Sequence, residues 1–336
     1  MEKTFSKLKA LAIIDKEIIA SNAYKIFSSK NEGKDWNLVN IVPVYYYQKF
    51  LSRIRILQRL FRFEISLIKK ISDSNIIICC NKNMFISDLE FKNFKRVNIN
   101  FRSYQLLNHS ICIAKENIYY AEYFPNPKRK EVNIYKSSNG LDWEIIYTFK
   151  KKQIKHIHGI QYDPFIDKLW FCTGDLDKEC MIAKTDLDFS DIEIIGKNDQ
   201  IFRTIELLFF KDKVYWAMDS PVKKNHLIEF ERKNKKIKQL QEFDSPVYSL
   251  KKMSEGYYII ATTSEKGLAD TDKKAHIWIS NDLKKWEDLL SYNKDILPNI
   301  FGHGRILFPD KFNDKLIFSG SGLEKIENKM IIGTIK

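Results

Sequence analysis

His156 and His158 stand two residues apart in an apolar run that continues through Gly159-Ile160. On a strand, residues i and i+2 share a face, so both imidazoles can serve one site as proton carriers near neutral pH or as metal ligands. Gly159 permits close backbone approach, and Asp175, at the end of Trp170-Phe171-Cys172-Thr173-Gly174-Asp175, can orient an imidazole. Glu122 closes Tyr119-Tyr120-Ala121 in the same way. Two carboxylates facing a glycosidic bond, here Glu122 and Asp175, can act as acid and as base or nucleophile. Arg102, Arg203 and Arg305 each carry a permanently charged planar fork that suits a carboxylate. Tyr248, Asp219, His303 and Glu265 complete the polar set. We read His156, His158, Glu122 and Asp175 as candidate catalytic residues and Arg102, Arg203, Arg305, Tyr248, Asp219 and His303 as candidate substrate contacts. The competing account pairs each Arg with a carboxylate and each His with backbone, leaving a packed interior. No Cys/His spacing marks a zinc site, and a divalent ion at the histidine pair is the one cofactor the residues allow.

These positions span about two hundred residues, so only a fold that returns the chain repeatedly to one place can assemble them. Short runs of β-branched and aromatic residues broken by turn residues recur throughout, which predicts an all-β chain. A turn ending in tryptophan repeats at Ser29-Lys30-Asn31-Glu32-Gly33-Lys34-Asp35-Trp36, Ser137-Ser138-Asn139-Gly140-Leu141-Asp142-Trp143 and Ser280-Asn281-Asp282-Leu283-Lys284-Lys285-Trp286, with a weaker copy from Ser87-Asp88 to Phe94. Asn or Asp can bond its own backbone, Gly accepts positive φ, and the Trp packs back between strands. Their spacing implies blades of about 45 residues, near 8–41, 62–99, 101–149, 154–196, 201–243, 246–291 and 303–336. The expected fold is one β-propeller domain, 1–336, of seven four-stranded blades, with six as the alternative. Residues before Leu8 would supply the last blade's missing strand, removing an open edge.

In such a ring the innermost strand of each blade starts on the face where the second strand ends, and the polar set occupies those positions. The Trp turns fall on the opposite face and are structural. One segment breaks the β pattern. Tyr47 to Arg62 places Phe50, Leu51, Ile54, Leu57, Leu60 and Phe61 on one helical side and Arg53, Arg55, Arg59 and Arg62 elsewhere, which predicts a short basic amphipathic helix near 47–62. It would cap the propeller's side or, through residues 50–62, touch a membrane surface.

The turn repeat resembles the Asp box of sialidases, Ser-x-Asp-x-Gly-x-x-Trp. Glu122-Tyr123-Phe124-Pro125-Asn126-Pro127 with Glu131-Val132-Asn133-Ile134-Tyr135, and His156-Ile157-His158-Gly159-Ile160-Gln161-Tyr162-Asp163-Pro164 with Thr173-Gly174-Asp175, resemble a group of archaeal and bacterial Asp-box propellers. The resemblance implies a sialidase-like, BNR-repeat propeller with a glycosidase-like label carried by fold. It departs from sialidases where Phe202-Arg203-Thr204-Ile205 stands in the fifth blade instead of before the first box.

The net charge is +13, with 56 Lys plus Arg against 43 Asp plus Glu, which favours an acidic partner or reflects solvated lysine-rich faces. No basic stripe interleaved with aromatics points to nucleic acid. Cys79, Cys80, Cys112, Cys172 and Cys180 lack framework spacing and sit largely in apolar runs, as buried thiols of a reducing compartment would. With no sustained apolar leader or span in view, the expected location is cytoplasmic, including the inner membrane face. The expected function is recognition or processing of an acidic or polar glycan, glycosidase-like or lyase-like. Its alternative is a non-catalytic glycan- or protein-binding scaffold in surface-polysaccharide assembly. No phosphate loop, nucleophile elbow or dinucleotide fingerprint appears.

Overall fold

A computed structural model describes residues 3–99, 101–103, 106–265 and 267–335. The fold is all-β and broadly propeller-like, built of four-stranded antiparallel units in chain order. The first holds β2 (Lys9–Ile14), β3 (Glu17–Asn22), β4 (Lys25–Ser29) and β5 (Asn37–Ile41). The second holds β6 (Ile65–Lys70), β7 (Asn75–Cys80), β8 (Asn83–Asp88) and β9 (Lys95–Arg96), and the third β10 (Ile111–Ala114), β11 (Asn117–Ala121), β12 (Val132–Ser137) and β13 (Glu144–Phe149). β14 (His156–Asp163), β15 (Lys168–Gly174), β16 (Met181–Thr185) and β17 (Ile192–Lys197) form the fourth, and β18 (Leu207–Phe209), β19 (Lys213–Ala217), β20 (Asn225–Glu231) and β21 (Lys236–Phe243) the fifth. The sixth contains β22 (Val247–Lys252), β23 (Tyr258–Ser264), β24 (Lys274–Ser280) and β25 (Glu287–Asn293). β26 (Gly304–Leu307), β27 (Leu316–Ser321) and β28 (Lys329–Gly333) complete the described strands with β1 (Lys3–Ser6), which pairs antiparallel with β28. β23 also bonds β26 through Thr263 and Ser264, which fuses the last two units into one sheet.

Apolar side chains interlock between units. Ile65, Ile68, Ile76 and Ile78 pack on Leu11, Ile19 and Ile26, joining the first unit to the second. Similar clusters join each later pair, and Ile317, Met330 and Ile332 pack on Ala10, Ile18 and Ala20, returning the last unit to the first. Inner strands such as β7 are buried on both faces, so they read as continuous apolar runs, Ile76-Ile77-Ile78-Cys79-Cys80 among them. All five cysteines are free and buried. Burial pushes the Cys80 and Cys112 thiols up to about 12, which keeps them protonated.

The Trp turns share one hydrogen-bonding scheme. Ser29 Oγ accepts from Gly33 N at 2.8 Å, Ser137 Oγ from Gly140 N at 2.8 Å, and Ser280 Oγ from Leu283 N at 2.9 Å. The Asn31, Asn139 and Asp282 side chains accept from backbone N–H groups further round each turn. The residue whose N–H donates to the Ser hydroxyl has positive φ in all three, +76° at Gly33, +76° at Gly140 and +62° at Leu283. Each turn seals a seam with the preceding unit: a Cβ at Gly33 would lie 2.7 Å from Ile332 Cδ1, and one at Gly140 2.7 Å from Ile86 Cδ1. A degenerate version holds the β16–β17 turn, where Asp186 accepts from Asp188 N and Ser190 N and Phe189 takes φ +58°.

The predicted helix is two short ones, α1 (Tyr46–Leu51) and α2 (Arg55–Phe61), and the expected exposure of its arginines is reversed for all but Arg53. Arg59 is 4 % exposed, paired with Asp295 and donating to Phe301 O at 3.0 Å. Arg55 bridges Glu64 and Glu327, and Arg62 donates to Phe301 O. Tyr46, Phe50, Ile54 and Phe61 face outward instead, with Tyr46 83 % exposed. Carboxylates on neighbouring elements decide this: a guanidinium gains more from Glu64, Asp295 and Glu327 than the sheet gains from another apolar side chain.

Candidate functional site

Strand polarity gathers most of the polar set. His156 opens β14, Asp175 follows β15, Arg203 precedes β18, and Asp219 follows β19. Tyr248 lies in β22, Glu265 follows β23, and His303 and Arg305 lie at the start of β26. These first-strand starts and second-strand ends line one cavity of about 250 Å³, with Lys155, Tyr123, His109, Leu107 and Ile205. His109, in the short turn Asn108–Ser110, lines this cavity and also borders an 80 Å³ cavity and one of about 1020 Å³. Burial drives the His109 imidazole down to about 3, so it is neutral at physiological pH.

Asp175 is the hub. Lys155 pairs with its Oδ2, His158 Nε2 lies 3.1 Å and His156 Nε2 3.4 Å from Oδ1, and Arg203 Nη2 lies 3.4 Å from Oδ1. Burial opposes its ionisation, but the adjoining His156 and His158 imidazoles hold the carboxyl far below the usual range. Burial pushes His158 down to about 4 against the pull of Asp175. Asp219 sits 3.8 Å from His158 Nδ1 and 3.7 Å from Arg203 Nε; burial raises its carboxyl to about 8, opposed by Arg203 and reinforced by Glu265 and Asp175. Tyr123 stacks 4.2 Å from the His156 ring, and the two imidazole centroids are 5.0 Å apart.

Six polar atoms around this cavity are buried without a hydrogen-bond partner: His156 Nε2, His158 Nδ1, Arg203 Nε, Tyr248 Oη, His303 Nδ1 and Arg305 Nε. Buried polar groups are normally satisfied, so their convergence on one space marks a place built for something else. His156, His158 and Asp175 offer ligand atoms all within 4.8 Å of one another, a group able to hold a metal ion.

Two expected members lie elsewhere. Glu122 and Arg102 are not among the residues lining the cavity; they form a fork in which Glu122 is buried and Arg102 half-buried, Arg102 Nε donating to Glu122 Oε1 at 2.8 Å, with Asn133 N donating to Oε2 at 2.7 Å. Parity explains it: just past β11, Glu122 turns sideways into its own sheet while Tyr123, one residue on, reaches the cavity. Tyr123 and Lys155 were legible as neighbours of Glu122 and His156. His109 was not, because nothing in the sequence places a connecting turn inside the channel.

No protein-family model matches the chain, and no curated protein matches it in sequence. Solved structures do match in fold. An oligogalacturonate lyase in complex with manganese aligns at TM-score 0.64 and 8 % identity, over 100 % of this chain and 91 % of that one. YCF48 bound to D1 peptide aligns at 0.59 and 9 %, over 100 % and 96 %. The extracellular domain of the one-component system BT4673 from B. thetaiotaomicron aligns at 0.59 and 11 %, over 97 % of this chain but 38 % of that one. The chain is similar to them in all-β, propeller-like architecture alone. Two expectations are corrected here. The sialidase and glycosidase reading has no support in these matches. The cytoplasmic, membrane-peripheral location does not stand either, since matching folds include extracellular domains and three of the helix arginines point inward. No helix among the described residues is long and apolar enough to cross a membrane.

Proposed function

We propose that the chain is a ligand-binding propeller, a single domain of seven blades in a closed ring, whose mouth cavity holds a divalent cation between His156, His158 and Asp175 and, with it, a small polar ligand. Support for the ring comes from the β1–β28 pairing and the apolar cluster between the last and first units. The observation that carries the site is at His156. Its Nδ1 lies 3.1 Å from Phe124 O, an acceptor, so Nδ1 bears the proton and Nε2 presents a lone pair. That lone pair faces Asp175 Oδ1, another acceptor, at 3.4 Å. Two acceptors at this distance repel unless a positive centre lies between them. Ligand atoms about 2.1 Å from a tetrahedral or octahedral ion are themselves about 3.0–3.4 Å apart, which the 3.1 and 3.4 Å spacings fit.

Lys155 and Arg203 already neutralise Asp175, so they weaken the cation's hold and make it exchangeable. Equilibrium dialysis of the full chain against manganese tests the reading. One ion per chain is expected, with loss on His156→Gln and tighter binding on Lys155→Met. If manganese and zinc both fail to bind, the positive centre is a proton on His156 and the cation reading is wrong.

A second reading is favoured by the metal-holding group together with the fold match to a manganese-containing oligogalacturonate lyase. The same cavity would then act on an acidic saccharide. A bound cation would supply Lewis-acid polarisation of a ligand oxygen. Release of unsaturated product, followed by ultraviolet absorbance with oligouronates, separates this from simple binding.

A further inference from the structure

Three arginines were candidates for an anion clamp, and two are engaged by the protein. Arg102 is forked onto Glu122 and also donates to Glu131 O. Arg203 reaches Asp175 and Asp219 and donates to Asp175 O at 2.9 Å. Arg305 is different: no carboxylate among the described residues lies within 4.0 Å of its guanidinium nitrogens, and its Nε is buried without a partner. Its guanidinium lies over the Tyr248 ring, 4.8 Å from the centroid, which fixes the plane of the fork. Tyr248 Oη and His303 Nδ1, on the same cavity wall, also lack partners.

We propose that Arg305, with Tyr248 and His303 beside it, is the seat for the carboxylate of a small monoanionic ligand in the mouth cavity. A sequestered guanidinium with no carboxylate in pairing distance is costly, and removing a charged partner typically leaves such a group destabilised. A carboxylate supplies two acceptor oxygens in the geometry of the fork, and a further lone pair for the Tyr248 hydroxyl. A phosphate dianion suits the seat poorly, because Asp175 and Glu265 line the same cavity and repel a second negative charge. The volume of about 250 Å³ falls just below the range of about 300–1,000 Å³ typical of drug-sized ligands, so the occupant is a small molecule, not a polymer segment. β26 belongs to the unit three places on from β14, so this seat lies across the channel from His156 and His158. The ligand thus presents its carboxylate to one wall and its polar remainder to the other. The inference rests on the mouth cavity being the binding site, but not on the cation.

Isothermal titration of the full chain with a graded set of monocarboxylates, from acetate to glucuronate, tests it alongside glucose, phosphate and sulfate. Glucuronate should bind and glucose should not. Arg305→Lys, which keeps the charge but loses the fork, should weaken glucuronate about ten-fold, and Arg305→Gln should abolish binding. If Arg305 variants fail to fold, Tyr248→Phe removes only a hydroxyl and should still weaken the carboxylate several-fold. Binding unchanged by these substitutions, preference for phosphate or sulfate, or no binding by any monocarboxylate overturns the proposal. Repeating the titration after chelation separates the two readings. Arg305-dependent binding that survives chelation in a chain that takes up no manganese leaves the seat standing and the cation reading refuted. Manganese uptake without carboxylate binding does the reverse.

Discussion

Leu283 offers a direct test of how the Trp turns hold the units together. It takes the position filled by Gly33 and Gly140 in the other two copies, with the same left-handed backbone, φ +62° against +76° and +76°. A leucine there costs about 1–2 kcal/mol of backbone strain, so Leu283→Gly removes a real penalty. The same substitution removes a side chain that is 4 % exposed and packed with Tyr215, Phe243, Val247 and Leu250 at the seam with the preceding unit. At Gly33 and Gly140 the equivalent space is filled from the preceding unit, by Ile332 with Phe5 and by Ile86 with Ile71. At Leu283 the turn fills it itself. Emptying a buried leucine site typically costs about 3–5 kcal/mol, and the added chain entropy of glycine about 0.5–1 kcal/mol more. Burial wins, and the variant should be destabilised by about 3 kcal/mol. For 336 residues unfolding as one unit, that lowers Tm by about 4 °C. Differential scanning calorimetry reads the shift. Leu283→Asn, which tolerates positive φ but leaves the seam empty, should fall in the same direction. A Tm that stays level or rises in Leu283→Gly means that strain outweighs seam packing, and the account of these turns is wrong.

Glu122→Ala should cost about 3 kcal/mol in urea unfolding by stranding Arg102, yet leave any ligand affinity of the mouth cavity unchanged, as befits a residue outside it. Gly159→Ala places a Cβ 2.3 Å from the Ile205 carbonyl oxygen, so β14 and the segment before β18 must separate; a loss of about 1–3 kcal/mol is expected from chemical denaturation. His109 has a folded pKa depressed to about 3 by burial, facing Glu206, Lys251, His158 and Lys69. Its contribution is present above about pH 6.5 and is lost as pH falls towards 3, because the unfolded chain takes the proton first. Between pH 7.5 and 4.5 that loss is about 2–3 kcal/mol, and His109→Phe should flatten this part of the urea-midpoint profile.

Much of the fold was legible because the repeat is chemical as well as hydrophobic: Ser, Asn or Asp, and Gly recur at positions where a hydroxyl, a carbonyl or carboxylate and a positive φ are needed. The strand sets of the first, fourth and sixth units fall within two residues of the expected limits, whereas those of the third and fifth begin well inside them, at Ile111 and Leu207, and β1 pairs with β28 as the missing edge strand required. The turn after Thr185 went unread because it has neither the Ser nor the Trp; the only cue was Asp186 with Ser190 four residues later. The residues that line the cavity were legible wherever strand polarity alone fixed the address, as at His156, Asp175, Arg203 and Arg305. It failed at Glu122, where polarity was right and parity was not. A strand end identifies a pair of neighbouring residues, and which of the two faces the channel depends on twist and on the register at that edge.

The reversal of α2 rests on the same physics as the mouth cavity. In both places charge decides what apolar patterning leaves open. Sequence periodicity put Leu57 and Phe61 against the sheets and Arg55, Arg59 and Arg62 in solvent, a sound expectation when the surface beneath is apolar. Here that surface carries Glu64, Asp295 and Glu327, and those carboxylates need cations more than the helix needs a greasy bed. The helix therefore turns its basic side down, and Ile56 and Phe61 remain outside. In the cavity the count runs the other way: Lys155 and Arg203 find Asp175, whereas Arg305 finds no carboxylate within pairing distance among the described residues. A chain that turns a helix over to satisfy buried carboxylates, yet keeps a fixed guanidinium unpaired beside two orphaned donors, has kept it for a charge that arrives from solution.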